Sequence, residues 1–297
     1  HLSKSFCGVK ATSDVSMDFP SGSLSAVIGP NGAGKTTFFN LISGALQPDA
    51  GKILLEDENI VGLSSSEIIR KGIGRAFQVA KLFKTFTVEE SLRGALQSPL
   101  GKSAQMHGSF PLDQTRDRAM EVMELLGLQH KADVVSGNLS HGDQKLLDIA
   151  LALVLRPKVL LLDEPDNYLD VPAKRWLEEQ IRESKKTILF ISHDRELLQN
   201  TATRIVALEQ GVNGNTAWIH GGKFDTWHEA RKARNERFAE LLLRSEQEHQ
   251  RLIDLVRTLQ VQAAISPDMA NKYHAMQTRL RKFEEAGAPE APPVEQD

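Results

Sequence analysis

The chain has 297 residues, 40% hydrophobic and 25% charged, with a net charge of −3. That length holds one large domain plus something smaller, and the charge balance gives no global basic field for nucleic acid. The single cysteine, Cys7, excludes an internal disulfide and a multi-cysteine metal site and fits a reducing compartment, while the longest apolar run, ALALVL at 150–155, falls far short of the roughly 18–20 residues of a membrane span.

No charged-then-apolar leader opens the chain. It begins on His1 rather than Met, so its natural start is expected upstream. The first strong strand pattern is SLSAVIG, residues 23–29, and it runs straight into GPNGAGKTT, residues 29–37. The spacing is that of a phosphate-binding loop, with Gly29, Asn31, Gly32, Gly34, Lys35, Thr36 and Thr37 in the expected order. Glycines let backbone N–H groups close around phosphates without Cβ clashes. The helical pattern TTFFNLI that follows adds the positive end of a helix dipole. Lys35 is placed to reach the β- and γ-phosphates, and the Thr36 hydroxyl to ligate Mg2+.

Further along, Ser64 with Glu67 and Thr87 with Glu90 each match a capping box that starts a helix. GRAFQ, residues 74–78, puts Gln78 after a strand-like stretch. Residues 87–157 lack strong strand signals and read as mainly helical, with Ala119, Val122, Met123 and Leu126 on one face. NLSHGDQ, residues 138–144, puts Ser140 and Gly142 at the start of an apolar helix; alone, a Ser-x-Gly there is usually only a cap. KVLLLD, 158–163, ends an apolar strand on a carboxylate. Asp163 is suited to hold Mg2+ through water and Glu164 to polarise an attacking water, since phosphoryl transfer asks a protein mainly to position groups and balance charge. Asp166 reads as a solvated turn residue. KTILFIS, 186–192, and TRIVALE, 203–209, are two more apolar strands, and His193 follows the first of them.

Strands alternating with helices, and strands apolar at every position, predict an α/β fold with a mostly parallel sheet; the phosphate loop makes it one of the P-loop NTPase kind. The pattern changes after about Trp218. GGKFDTW is turn-rich, and residues 225–263 then run without Gly or Pro. Phe238, Leu242, Ser245, His249, Leu252, Val256, Leu259 and Ala263 alternate spacings of four and three, a coiled-coil seam. Ser266-Pro267 reads as an N-cap and first-turn proline, and Met269, Tyr273, Met276, Leu280 and Phe283 repeat the spacing. The expectation is an antiparallel helical hairpin. The domains are placed at 1–222, with a helical subdomain at about 79–157, then the hairpin at 223–285 and a Pro-rich disordered tail at 286–297.

The joint order of phosphate loop, Gln, Ser-x-Gly helix, Asp-Glu strand, Asp and His resembles the ATP-binding cassette (ABC) ATPases over about residues 1–222. The resemblance implies that Phe6 stacks on adenine and that Gln78 touches Mg2+ and links the site to a partner. It implies that Asp163 joins Thr36 and Gln78 around the metal, and that Glu164 is the catalytic glutamate. His193 would be the switch histidine that senses the γ-phosphate, and Asp170 the D-loop aspartate. Leu139 to Gln144 resembles the signature motif, which would present Ser140, Gly142 and Gln144 to ATP held by a second cassette, a homodimer mate or a paralogue. His141 stands where the commonest form has glycine.

The resemblance divides near residue 165. Residues 1–164 are similar to ATPase subunits of branched-chain amino acid or urea importers. Residues 165–285, through PDNYLDV, FISHDRELL, TAWIHGGKF and the hairpin, are similar to ABC-F proteins, whose hairpin joins two cassettes and reaches toward tRNA on the ribosome. The division suggests a chimera, with a natural intermediate lineage as the alternative. The expected function is an ATP-hydrolysing transport motor, cytoplasmic or peripheral at the inner face of the membrane, coupled to permease subunits through the Gln78 region and residues 79–110. One alternative is a ribosome-associated ABC-F factor or fragment. Another is a chimeric ATP-binding protein that does not cycle. From Arg231 to Lys282 there are 11 Lys and Arg against 6 Asp and Glu, an excess that could favour phosphate contact or simply solvate a helix pair.

Overall fold

A computed structural model describes residues 1–6, 9–97, 115–211, 214–263 and 267–289. The chain divides into two compact units, His1–Trp227 and His228–Asp297.

The first unit is built on a six-stranded sheet in the order β10-β9-β3-β8-β7-β6. Strands β3 (Leu24–Ile28), β6 (Ile73–Ala76), β7 (Val159–Asp163), β8 (Thr187–Ile191) and β9 (Arg204–Gly211) pair in parallel, and β10 (Gly214–His220) closes the edge antiparallel to β9. The apolar runs become strands because successive side chains go to opposite faces and both faces are covered. Leu160 and Leu162 enter one buried cluster and Leu161 the other; Phe190 and Leu189 divide likewise. One cluster is covered by α3 (Val88–Gln97), α4 (Arg116–Leu125), α5 (His141–Val154), α6 (Val171–Glu183) and α7 (Arg195–Thr201). The other is covered by α1 (Lys35–Ile42) and α2 (Ser65–Lys71). Phe190 is fully buried, which stabilises the unit by about 1.5–3 kcal/mol.

Local signals start the helices as expected. Ser64 and Glu67 exchange the two capping-box bonds at α2. Thr87 N–H donates to Glu90 Oε2 at 2.9 Å and Glu90 N–H to Thr87 Oγ1 at 3.2 Å. Ala119, Val122, Met123 and Leu126 are all buried. Five strands lie outside the runs marked by the sequence. They are β1 (Leu2–Phe6) and β2 (Val9–Val15), which pair with each other, the short pair β4 (Leu54–Leu55) and β5 (Glu58–Asn59), and β10.

Helix α8 (Phe224–Ala263) begins in the first unit, where the stacked rings of Phe224 and Trp227 join the core. In the second unit α8 pairs with α9 (Pro267–Ala286). Arg279 bonds Glu248 and His249 bonds Glu284, while the His249 and Phe283 rings stack at 5.7 Å. These pairs lie symmetrically about the connection between the helices, so the two run antiparallel. Every position in the four-three spacing is buried or half-buried, and Leu252 is fully covered. Ser266, the expected cap, lies outside the described residues, as do 98–114 of the expected helical subdomain and 290–297 of the expected tail.

Candidate functional site

The phosphate loop joins β3 to α1 and is fixed by its own backbone. Gly34 has φ 90°, and a Cβ there would lie 2.4 Å from the Ala11 carbonyl oxygen on β2; a Cβ at Gly29 would lie 2.3 Å from Leu208 O on β9. Only glycine lets the loop pass between these strands. Lys35 Nζ donates to Gly29 O at 2.6 Å and Pro30 O at 3.0 Å. Two residues with no signal in the sequence hold the outside of the loop. Asn215 Nδ2 donates to Gly32 O and Ala11 O at 3.0 and 3.1 Å, and Gln210 Nε2 donates to Asn31 O at 3.2 Å. Both sit on the β9–β10 hairpin. Thr36 is exposed at the first turn of α1, where backbone N–H groups and the dipole favour an anion.

The carboxylates arrive from β7. Asp163 ends the strand and is buried, with Oδ2 3.3 Å from the Arg75 guanidinium. Burial pushes its pKa up, and Arg75 pulls the other way. Burial lowers that of Lys35, opposed by Glu164 and Asp163. Glu164 follows in the left-handed region, φ 48°, a conformation costing a non-glycine residue about 1–3 kcal/mol and found where a site over-determines it. Its Oε2 accepts hydrogen bonds from Gln78 Nε2, at 2.9 Å, and from Asn167 Nδ2. His193 Nε2 stands 3.9 Å from its other oxygen. The structure thus brings Lys35, Gln78, Asp163, Glu164 and His193 together from four separate segments.

Behind them lies a buried group. Lys145, on α5, donates to Phe77 O at 2.7 Å and Asp163 O at 2.8 Å. Asp148, one turn later, accepts from Phe77 N–H at 2.7 Å. Burial lowers the Lys145 pKa and raises that of Asp148 to about 6.

Other expected residues stand elsewhere. Ser140 caps α5 and exchanges bonds with Asp143, and Gln144 Nε2 donates to Leu139 O. Gly142 lies against the Tyr168 carbonyl, which a Cβ would approach to 3.0 Å, and the His141 ring tilts against Tyr168 at 5.6 Å. Asp170 caps α6 by accepting from Ala173 N–H at 3.0 Å. Phe6 ends β1 exposed, with Lys4 Nζ 5.6 Å from its ring centre. One expectation is corrected. Asp166 is not solvated: it is buried and accepts from Ser192 Oγ at 2.8 Å, because the chain folds it back beneath the end of β8.

A glycine loop between strand and helix, with a buried aspartate ending a nearby parallel strand and a glutamate just after it, defines a P-loop nucleotide-binding hydrolase. Residues 12–167 match the family described as ABC transporter, and the chain belongs to that family of ATP-hydrolysing cassettes. It is 39% identical over 307 aligned positions to a Mycobacteroides abscessus protein named "Antibiotic resistance protein", covering 96% of this chain and 54% of that protein. The chain therefore spans about half the length of that relative. It is 36% identical to the Escherichia coli K12 "High-affinity branched-chain amino acid transport ATP-binding protein LivG", covering 70% of this chain and 85% of that one. A solved nucleotide-free ATP-binding cassette from an ABC transporter superposes with TM-score 0.64 at 28% identity, covering 75% of this chain and 89% of that one. A dimeric bacterial ABC transporter cassette does so with TM-score 0.59 at 25% identity, covering 69% and 91%. Among the described residues no helix is long and apolar enough to cross a membrane.

Proposed function

We propose that this chain binds Mg-ATP and hydrolyses it at sites shared between two cassettes. The observation that carries the reading is the convergence of Gln78, Asn167 and His193 on Glu164 beside the loop that holds Lys35. The loop N–H groups and Lys35 bind the phosphates. Glu164, its carboxylate aimed by two amide donors, orients the attacking water and takes its proton as the γ-phosphoryl group departs. His193 lies on the open side of Glu164, suited to sense the transferred group. Thr36, Asp163 and Gln78 supply oxygen donors, the ligand type Mg2+ prefers, and together with the phosphates they would hold the ion, which neutralises phosphate charge when bound. Among the described residues no cluster of three His, Cys, Asp or Glu forms a protein-only metal cage, in keeping with an ion that comes with its nucleotide. Phe6, exposed at the end of β1, is the candidate for stacking on adenine. Ser140 and Gln144 bond within their own segment, and Gly142 lies against Tyr168 rather than the loop. Those contacts support assigning them to ATP held by a second cassette, with Asp170 carrying the communication between the two.

For the work the cycle drives, the importer-motor reading rests on the likeness to LivG, which leaves 30% of this chain unmatched. It would pair the cassette with permease subunits near Gln78 and the residues beyond it. One observation favours a second reading, an ABC-F-like role. The Mycobacteroides abscessus match leaves only 4% of this chain outside, so it takes in nearly all of the α8–α9 pair. It also spans residue 165, which supports one lineage carrying both halves over an accidental join. Purified Glu164→Gln protein should bind ATP, barely turn it over and accumulate as a dimer in light scattering. Monomer alone with ATP present would contradict the shared site. Co-sedimentation of that variant with ribosomes, set against recovery with membrane subunits, decides between the two tasks.

A further inference from the structure

The signature helix α5 carries two buried charges that the hydrolysis scheme has not used. Lys145 is 2% exposed, and its ammonium joins the carbonyls of Phe77 and Asp163. Those residues immediately precede Gln78 and Glu164, the two side chains that bond each other at 2.9 Å. Asp148 takes the N–H of the same Phe77. One helix face therefore holds both polar groups of the Phe77 residue and the end of β7. A charged amine is seldom left this deeply buried without a task, because desolvation opposes it.

We propose that Lys145 and Asp148 are positioning residues for ATP hydrolysis, clamping the backbone on either side of the Gln78–Glu164 pair and tying that pair to α5. This rests on the assignment of Glu164 to the attacking water. Because Ser140 caps α5, a shift of that end on meeting a second cassette is delivered to the backbone that sets Gln78 and Glu164. The clamp makes the signature helix part of its own chain's hydrolytic geometry.

The test is steady-state turnover and fluorescent-ATP affinity for Lys145→Met, Asp148→Ala and Asp148→Asn in the full chain. A displaced catalytic pair lowers kcat about 10- to 100-fold in Lys145→Met and Asp148→Ala, with ATP affinity held within about threefold. Asp148→Asn keeps an acceptor oxygen for Phe77 and stays within about threefold of the parent kcat. In the Glu164→Gln background, Lys145→Met lowers the residual turnover by less than about threefold, because the group it positions is already gone. Unchanged kcat in Lys145→Met, losses that multiply fully with Glu164→Gln, or parallel loss of affinity and turnover in all three variants would each overturn the proposal. If Glu164→Gln instead turns over ATP like the parent, it is the role of Glu164 that fails, a result distinct from any of these.

Discussion

Two glycines with nearly the same positive φ should respond very differently to a single methyl group. Gly34 has φ 90° and Gly62 has φ 89°. In each, alanine meets the left-handed penalty of about 1–2 kcal/mol. At Gly62 nothing lies within 4 Å of the added Cβ, so that penalty is the whole cost. At Gly34 the Cβ falls 2.4 Å from Ala11 O. That carbonyl belongs to β2 and is held by Asn215 Nδ2 at 3.1 Å, so it cannot withdraw freely. Overpacking of this kind adds about 1–3 kcal/mol. Gly34→Ala should therefore cost about 2–5 kcal/mol and Gly62→Ala about 1–2, within a total stability of about 5–15 kcal/mol. Urea unfolding measures the difference directly. All three tryptophans, Trp176, Trp218 and Trp227, lie in the first unit, so intrinsic fluorescence follows the unit that carries both sites. ATP affinity should fall in Gly34→Ala and hold in Gly62→Ala. Equal destabilisation by the two substitutions would refute the claim that β2 and the β9–β10 hairpin fix the phosphate loop.

Asp166→Ala should cost about 1–3 kcal/mol, since it leaves the Ser192 hydroxyl without its buried acceptor; Asp166→Asn should cost less, and paired urea melts separate them. Asp148 has a folded pKa of about 6 against an ordinary 3.8, so the native state binds this proton more tightly than the unfolded chain does. Its contribution is full below the unfolded value and is lost as pH rises through about 6. Relative to Asp148→Asn, the parent should lose about 2–3 kcal/mol of stability between about pH 4 and about pH 7, measured by urea unfolding at each. A flat difference would mean that burial does not perturb Asp148.

The sheet was largely legible because each of its parallel strands buried on both faces is a near-continuous apolar run, and the loop because its glycines and lysine stand at a spacing few other structures need. The strands β1, β2, β4, β5 and β10 were hidden for the converse reason. LSKSF, VKATSDV and GNTAWIH mix polar and apolar residues, and the two-residue strands carry no period at all. Within the site, Gln78, Asp163, Glu164 and His193 could be placed by motif. Lys145 and Asp148 could not, because they sit in an apolar helix and Phe77 and Asp163 lie far away in sequence. The same distance hid Asn215 from Gly32 and Ser192 from Asp166. The motifs mark what touches nucleotide, whereas the groups that hold those motifs in place are fixed by tertiary packing.

Whether Glu164 orients the water that attacks ATP is measured most directly by single-turnover hydrolysis beside ATP affinity for the parent and Glu164→Gln. Loss of a positioned general base should lower the hydrolysis rate by about 10²- to 10⁴-fold while affinity stays within about threefold. A Glu164→Gln rate equal to that of the parent, or a rate that falls only in step with lost affinity, would contradict the account.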